Sequence, residues 1–317
     1  MQGKPQERTQ SMIRVGIVGT NTSHAGVFAG LLNGVDGGPP QVEDARVVGV
    51  WSSGKEGLSG MHSAAPELAG TYRIDRVATE PSELIGTIDL ALILDDFDGG
   101  ALHPELARPF LEAGVPIYVD KPMALAVDEA VALFTLAEEK STPLMSCSAL
   151  RFASELDVLR QDGAGELSTL VSVGPGDWYN YGIHAVEAAL AVRGPGATQV
   201  QQFSSADRDI TVIEDETGPR IVVGTLRDAR AGFHLTSYGP QGVVQTEVAD
   251  YQSFYANTMS AAVGMARTGT APIDRQATLE VLAILAAGQR SATIGAPVRL
   301  TDVLPDVMPD AMPGGNE

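Results

Sequence analysis

The sequence predicts an α/β protein in two parts: a doubly wound parallel sheet, then an α+β domain built on one large open, mostly antiparallel sheet. Three observations predict it. Short apolar runs alternate with helical patterns as far as residue 148, at the spacing of parallel βαβ units. Beyond residue 200 the apolar runs are short, β-rich and separated by Gly- and Asp-rich turns, as in antiparallel sheets. The length, 317 residues, suits two domains of roughly 100–200 residues each.

The elements follow in order. Residues 1–11 are polar and read as a flexible tail. Residues 13–18 form a buried-type strand, followed by a glycine turn and a helix with Val27, Phe28, Leu31 and Leu32 on its apolar face. Asn33 opens a breaker-rich turn, and residues 47–51 are the second strand. A short helix is expected over 59–68 and a single helical turn over 81–85. Residues 88–94 are nearly all apolar, as a strand covered on both faces should be. Helix 104–113, strand 115–119, helix 124–139 and strand 144–146 complete a first domain over 12–148.

The second domain, 149–303, starts with a helical pattern over 152–160 and a strand over 167–173. A helix over 180–192 shows Ile183, Val186 and Leu190 on one face. Strand-like runs follow at 210–213, 221–223, 231–235 and 243–246, then two helices over 254–268 and 274–292. Residues 304–317 read as a second flexible tail.

Asp and Glu number 40 against 21 Lys and Arg, a formal net charge of -19. So acidic a body repels phosphate backbones and anionic lipid, which argues against nucleic-acid and membrane partners. Cys147 is the single cysteine, so no internal disulfide and no cysteine-rich metal site can form. The first apolar run, residues 12–18, is too short for a signal-peptide core or a membrane span. The expectation is a cytoplasmic protein.

Strand, tight glycine turn, then helix is the arrangement that receives a dinucleotide pyrophosphate, on backbone N–H groups and a helix N-terminus. It makes the first domain Rossmann-type. Gly19 takes the tight-turn position, and Thr20, Asn21, Thr22, Ser23 and His24 follow it toward the helix. Asn21 and His24 occupy positions that the standard pattern gives to small residues; His24 either contacts phosphate or substrate, or packs or caps. The second strand ends in Trp51, Ser52, Ser53, Gly54 and Lys55, with no acid to bond a ribose 2′-hydroxyl. Ser52, Ser53 and Lys55 suit a 2′-phosphate instead, so the choice between NAD and NADP stays open.

On the segment Val119-Asp120-Lys121-Pro122 the chain resembles the glucose–fructose oxidoreductase, inositol dehydrogenase and rhizopine-catabolism group, written Gfo/Idh/MocA, in which the motif is usually Glu-Lys-Pro. A second match is Tyr181-Gly182-Ile183-His184, where members commonly carry a histidine facing the nicotinamide. Many place an aspartate four residues earlier, where this chain has Asn180. The resemblance spans residues 12–300. It implies hydride transfer between NAD(P) and an alcohol carbon of a sugar, inositol or related polyol. It also implies a homodimer or homotetramer through the second-domain sheet. Lys121 and His184 are then the catalytic candidates, the first to stabilise a developing alkoxide and the second to move its proton.

Asn180, Tyr181, Asp177, Trp178 and Arg151 are candidate substrate contacts. The cofactor set is residues 19–24 with Ser52, Ser53, Asp95, His103, Lys121 and Pro122. The acids Asp95, Asp96 and Asp98 with His103 lack metal-site spacing and suit a solvated loop or helix cap, so no metal is expected. For Trp178 the competing reading is core packing, and for Lys121 an ion pair with Asp120. Two other functions fit the same residues: redox-assisted elimination or glycoside cleavage on tightly held NAD, and dinucleotide binding without catalysis.

Overall fold

The computed structural model describes residues 11–304 apart from positions 63, 164–166, 217 and 231. Apart from their innermost residues, both expected tails lie outside the described residues.

The first sheet takes β1 (Ile13–Val18), β2 (Ala45–Trp51), β3 (Arg76–Val77), β4 (Leu90–Ile93), β5 (Ile117–Val119) and β6 (Leu144–Ser146) in the order β3-β2-β1-β4-β5-β6. Every neighbouring pair is parallel. The apolar strands β4, β5 and β6 are buried along their whole length, because helices cover both faces. Those helices include α1 (Ser23–Asn33), α2 (Ala65–Tyr72), α3 (His103–Glu112) and α4 (Val127–Glu139). The strand order reverses between β1 and β4, which opens a crevice at their carboxyl ends.

The second half holds α5 (Asp157–Gly163), β7 (Thr169–Pro175), α6 (Trp178–Arg193), β8 (Ala197–Ser204), β9 (Arg208–Asp215), β10 (Arg220–Leu226), β11 (Phe233–Gly239) and β12 (Gly242–Val248). It closes with α7 (Tyr251–Thr268), α8 (Arg275–Ile294) and β13 (Val298–Arg299). The sheet runs β12-β11-β7-β10-β9-β8-β13 and is antiparallel except between β7 and β10. Its inner face, with Leu170, Ile221, Val223 and Leu235, packs on Val186 of α6 and Ile284 and Ala287 of α8. Among the described residues its outer face has no such cover and stays half exposed.

Two helices tie the halves together. Although α7 follows the second sheet in sequence, Met259 and Ala262 bury beside Phe28, Leu92 and Tyr118 of the first domain. From α8, Leu279 and Leu282 enter the core under α3 and α4.

Some local expectations shift. Val27 points outward, 37% exposed, and Ala25, Phe28, Ala29 and Leu32 carry the buried face of α1. Helix α2 begins later than expected, at Ala65, with Pro66 in its first turn, where a missing N–H costs nothing. The pattern over 152–160 resolves into two 3₁₀ turns, Ala149–Phe152 and Ser154–Leu156, before α5.

Candidate active site

The β1–α1 turn is bare backbone where it must be. Gly19 has φ 103°, and a Cβ there would stand 2.3 Å from Asp95 N. Thr22 caps α1, accepting from His24 N at 3.4 Å. Thr20 and Asn21 are buried, whereas Ser23 is exposed.

Asp95, just past β4, is buried completely and ties three loops together. Asn21 Nδ2 donates to it at 3.3 Å, Ser53 Oγ at 2.5 Å and Phe97 N at 3.0 Å. Asn21 Oδ1 accepts in turn from Asp96 N at 2.9 Å. The segment after β2 reaches the same place: Leu58 N donates to Asp96 O at 3.0 Å, and a Cβ on Gly57 would lie 2.0 Å from Asn21 O. Since β1 stands between β2 and β4, this segment passes over the end of β1 and borders the crevice.

Asp120 sits at the end of β5, buried. His24 Nδ1 is 2.6 Å from its Oδ2, and Lys121 N donates to its Oδ1 at 2.9 Å. The other ring nitrogen of His24 meets the Tyr255 hydroxyl at 3.1 Å. Burial alone would raise the Asp120 carboxyl pKa, but His24 and then Lys121 outweigh it and hold it well below the usual carboxylate range. The Tyr255 hydroxyl, by burial and then the Asp120 charge, is pushed up to about 12.

Across the cleft stands α6. Asp177 caps it, accepting from Asn180 N at 2.9 Å and from Asn180 Nδ2 at 3.0 Å. One turn on, His184 Nδ1 is 2.7 Å from Ser148 Oγ, and its ring lies 5.8 Å from that of Tyr181 and 5.7 Å from that of Phe233. Burial first, then the charges of Lys121 and His24, hold the His184 pKa well below 6.5, so the ring is neutral at neutral pH. A pocket of about 690 Å³, counting its open mouth, lies between the halves. Lys121, Asp96, Asn180 and Gln289 are among its polar walls, with Ile183 and Leu285 among its apolar ones. Lys121 also opposes the rise that burial imposes on Asp96. Asp96, Asp120, Lys121 and His184 thus form one electrostatic cluster.

Several candidates sit differently from the expectation. Both ring nitrogens of His24 are taken by Asp120 and Tyr255, so the ring is no open phosphate contact. Asp95 is spent on the loops around it, and Ser53 on Asp95. Lys55 Nζ lies over the Phe97 ring, 4.2 Å from its centre. His103 is buried, its Nδ1 2.8 Å from Pro122 O and its Nε2 without a partner, and burial lowers its pKa. Trp178 is core, 4% exposed, with its indole N–H donating to Leu285 O at 3.1 Å, although its edge reaches the pocket. Arg151 is paired with the buried Glu187. Asp177 serves α6 and Asn180, and the partner of His184 is Ser148. Ser148, Tyr255 and Gln289 went unread in the sequence, since nothing in their own neighbourhoods marks them.

The rim fits a dinucleotide: a bare turn with positive φ, a capped helix N-terminus and small polar groups, with Lys121 and Pro122 two strands along. Fold and rim together define a dinucleotide-binding type of domain coupled to a second, pocket-forming half. Residues 13–147 match the model of the Gfo/Idh/MocA family, described as an oxidoreductase family with an NAD-binding Rossmann fold. An 81-residue stretch is 38% identical to myo-inositol dehydrogenase Hyg17 of Streptomyces leeuwenhoekii, covering 25% of this chain and 24% of that protein. D-xylose 1-dehydrogenase (NADP(+)) 2 of Haloferax volcanii is 25% identical over 252 residues, 63% of this chain and 77% of its own length. In fold, the chain is similar to a probable dehydrogenase from Thermotoga maritima, with TM-score 0.79 and 15% identity over 92% of this chain and 100% of that one. No helix among the described residues is long and apolar enough to cross a membrane.

Proposed function

We propose that this chain, as a cytoplasmic homodimer or homotetramer, transfers a hydride between NAD or NADP and an alcohol carbon of a sugar, inositol or related polyol. The observation that carries the reading is the pocket itself: Lys121 from the first domain and Asn180 from the second face the same space, with neutral His184 within electrostatic reach of Lys121. The β1–α1 turn, Ser52 and Pro122 would hold the dinucleotide, whose nicotinamide supplies the hydride acceptor or donor.

In the oxidative direction the Lys121 ammonium bonds the reacting hydroxyl and stabilises its oxygen as the C–H bond breaks. His184, neutral and backed by Ser148, accepts the hydroxyl proton. Asn180, its amide steered by Asp177, orients a further hydroxyl. The Asp96 carboxylate and Gln289 add acceptors and donors to an otherwise apolar wall, a mixture suited to a polyhydroxylated ring. The names of the two relatives, a myo-inositol and a D-xylose dehydrogenase, support that class, and the second supports testing NADP.

The test is turnover with myo-inositol, scyllo-inositol, D-xylose and D-glucose, each with NAD and with NADP. The expected result is one nicotinamide reduced per polyol oxidised. Firm binding of either nucleotide with no turnover across the panel would overturn the reading.

A further inference from the structure

Two departures from the expected motifs meet in space. His24 stands where the glycine turn calls for a small residue, and Asp120 stands where Glu usually precedes the lysine. Ninety-six positions apart in the chain, they are joined by a 2.6 Å hydrogen bond. The ring has little freedom to do anything else. It stacks on the fully buried Phe28 at 5.4 Å, and its far nitrogen meets Tyr255 at 3.1 Å. The second oxygen of Asp120 accepts from the backbone N–H of Lys121 at 2.9 Å. A histidine at the head of the phosphate-facing helix therefore reaches past the crevice and grips the residue beside the site lysine.

We propose that His24 is a positioning residue that acts through Asp120 on Lys121, keeping Asp120 ionised and in place so that its second oxygen holds the Lys121 backbone N–H and presents the lysine side chain to the pocket. The inference rests on the role given to Lys121 above. Its physical basis is the cost of a buried charge. Asp120 is 5% exposed, and a carboxylate left there without a donor takes up a proton. With His24 donating, it keeps its charge and its place, and with them the hydrogen bond to the Lys121 backbone N–H. The groups that face Asp120 are His24 from α1, Lys121 beside it, Tyr118 from β5, Asp96 after β4, His103 from α3, Cys147 after β6, His184 from α6 and Tyr255 from α7. Only His24 and Asp120 are changed below.

The experiment needs no substrate. The chain has four lysines, Lys4, Lys55, Lys121 and Lys140, so competitive acetylation with acetic anhydride at one fixed pH, read peptide by peptide in a mass spectrometer, isolates Lys121, with Lys140 as reference. In His24→Leu and in Asp120→Asn the labelling rate of Lys121 relative to Lys140 is expected to rise by about threefold or more, because a lysine released from its place is more open to the reagent. The double variant should rise no further than either single one. His24→Asn, whose amide can donate to the same oxygen, should return most of the way to wild type. An unchanged Lys121 in His24→Leu overturns the proposal, whether or not Asp120→Asn moves it. If His24→Leu does not fold, the wild-type chain still decides: the Asp120 carboxyl ¹³C shift should stay that of a carboxylate down to about pH 4, and a carboxyl that protonates above that point overturns the proposal. A polyol panel without turnover would remove the reaction but leave this measurement able to succeed or fail alone.

Discussion

Lys121 follows a strand buried on both faces and faces a pocket shared with Asn180. Replacing it with Ala should lower turnover by about 10²–10⁴-fold, the range for a positioned group that stabilises or moves a proton. The nucleotide Kd, followed by titration, should stay within about threefold, as the turn proposed to hold the phosphates is untouched. Unchanged turnover would remove Lys121 from the chemistry. His184 makes a prediction about pH. Burial, Lys121 and His24 depress its folded-state pKa below 6.5, so below that pH the unfolded chain binds a proton that the folded chain does not. Stability therefore falls as pH drops through about 6.5, by about 1.4 kcal/mol per pH unit for one such group, and is flat above it. Buried His103 acts with the same sign. In His184→Gln the melting temperature should vary less between about pH 5.5 and 7 than in wild type; an equally steep curve would mean that His184 is charged in the fold. Both residues were legible because each lies inside a short local motif. The work of His24 was not, because its partners, Asp120 and Tyr255, lie 96 and 231 positions away.

Among the elements, the β1–α1 turn is the most constrained. Gly19→Ala would place a methyl group against Asp95 N at a φ that L-residues avoid. Expected are a fall in melting temperature and nucleotide binding weaker by about tenfold or more, since the turn proposed to dock the phosphates must move. Near-normal nucleotide binding by calorimetry would show that the dinucleotide does not use this turn. Long helices and apolar strands were readable from periodicity and composition. The strands β3, β8 and β13 were not: β3 and β13 have two residues each, too few for alternation to register, and β8 (ATQVQQFS) is too polar to stand out as an apolar run. The 3₁₀ turns at 149–156 were missed for a related reason, since apolar spacing does not separate a broken helix from a continuous one.

For the molecule as a whole, the uncovered face of the second sheet is the main unsettled surface. Val171, Val222 and Val212 sit side by side across β7, β10 and β9, all half buried, and Val173 and Ile210 flank Gly224 in the next row. Phe203, opposite Ile210, is 56% exposed. The dimer or tetramer proposed above would cover this apolar face with a second copy. Light scattering after gel filtration should give a dimer or tetramer for the wild-type chain and a smaller species for Val222→Lys, because a buried interface cannot solvate an unpaired ammonium. A wild-type monomer would exclude the assembly.

The alternation of strands and helices through the first domain, the glycine turn and the Lys-Pro motif were determined by the sequence alone, since each depends on neighbours within a few residues: an apolar run, a positive-φ glycine, a strand end. Only the tertiary structure decided how α7 returns to the first sheet, which loops Asp95 binds, and that His24 serves a carboxylate. Those outcomes depend on packing between segments tens to hundreds of positions apart, where burial and paired charge, and not local propensity, select the partner.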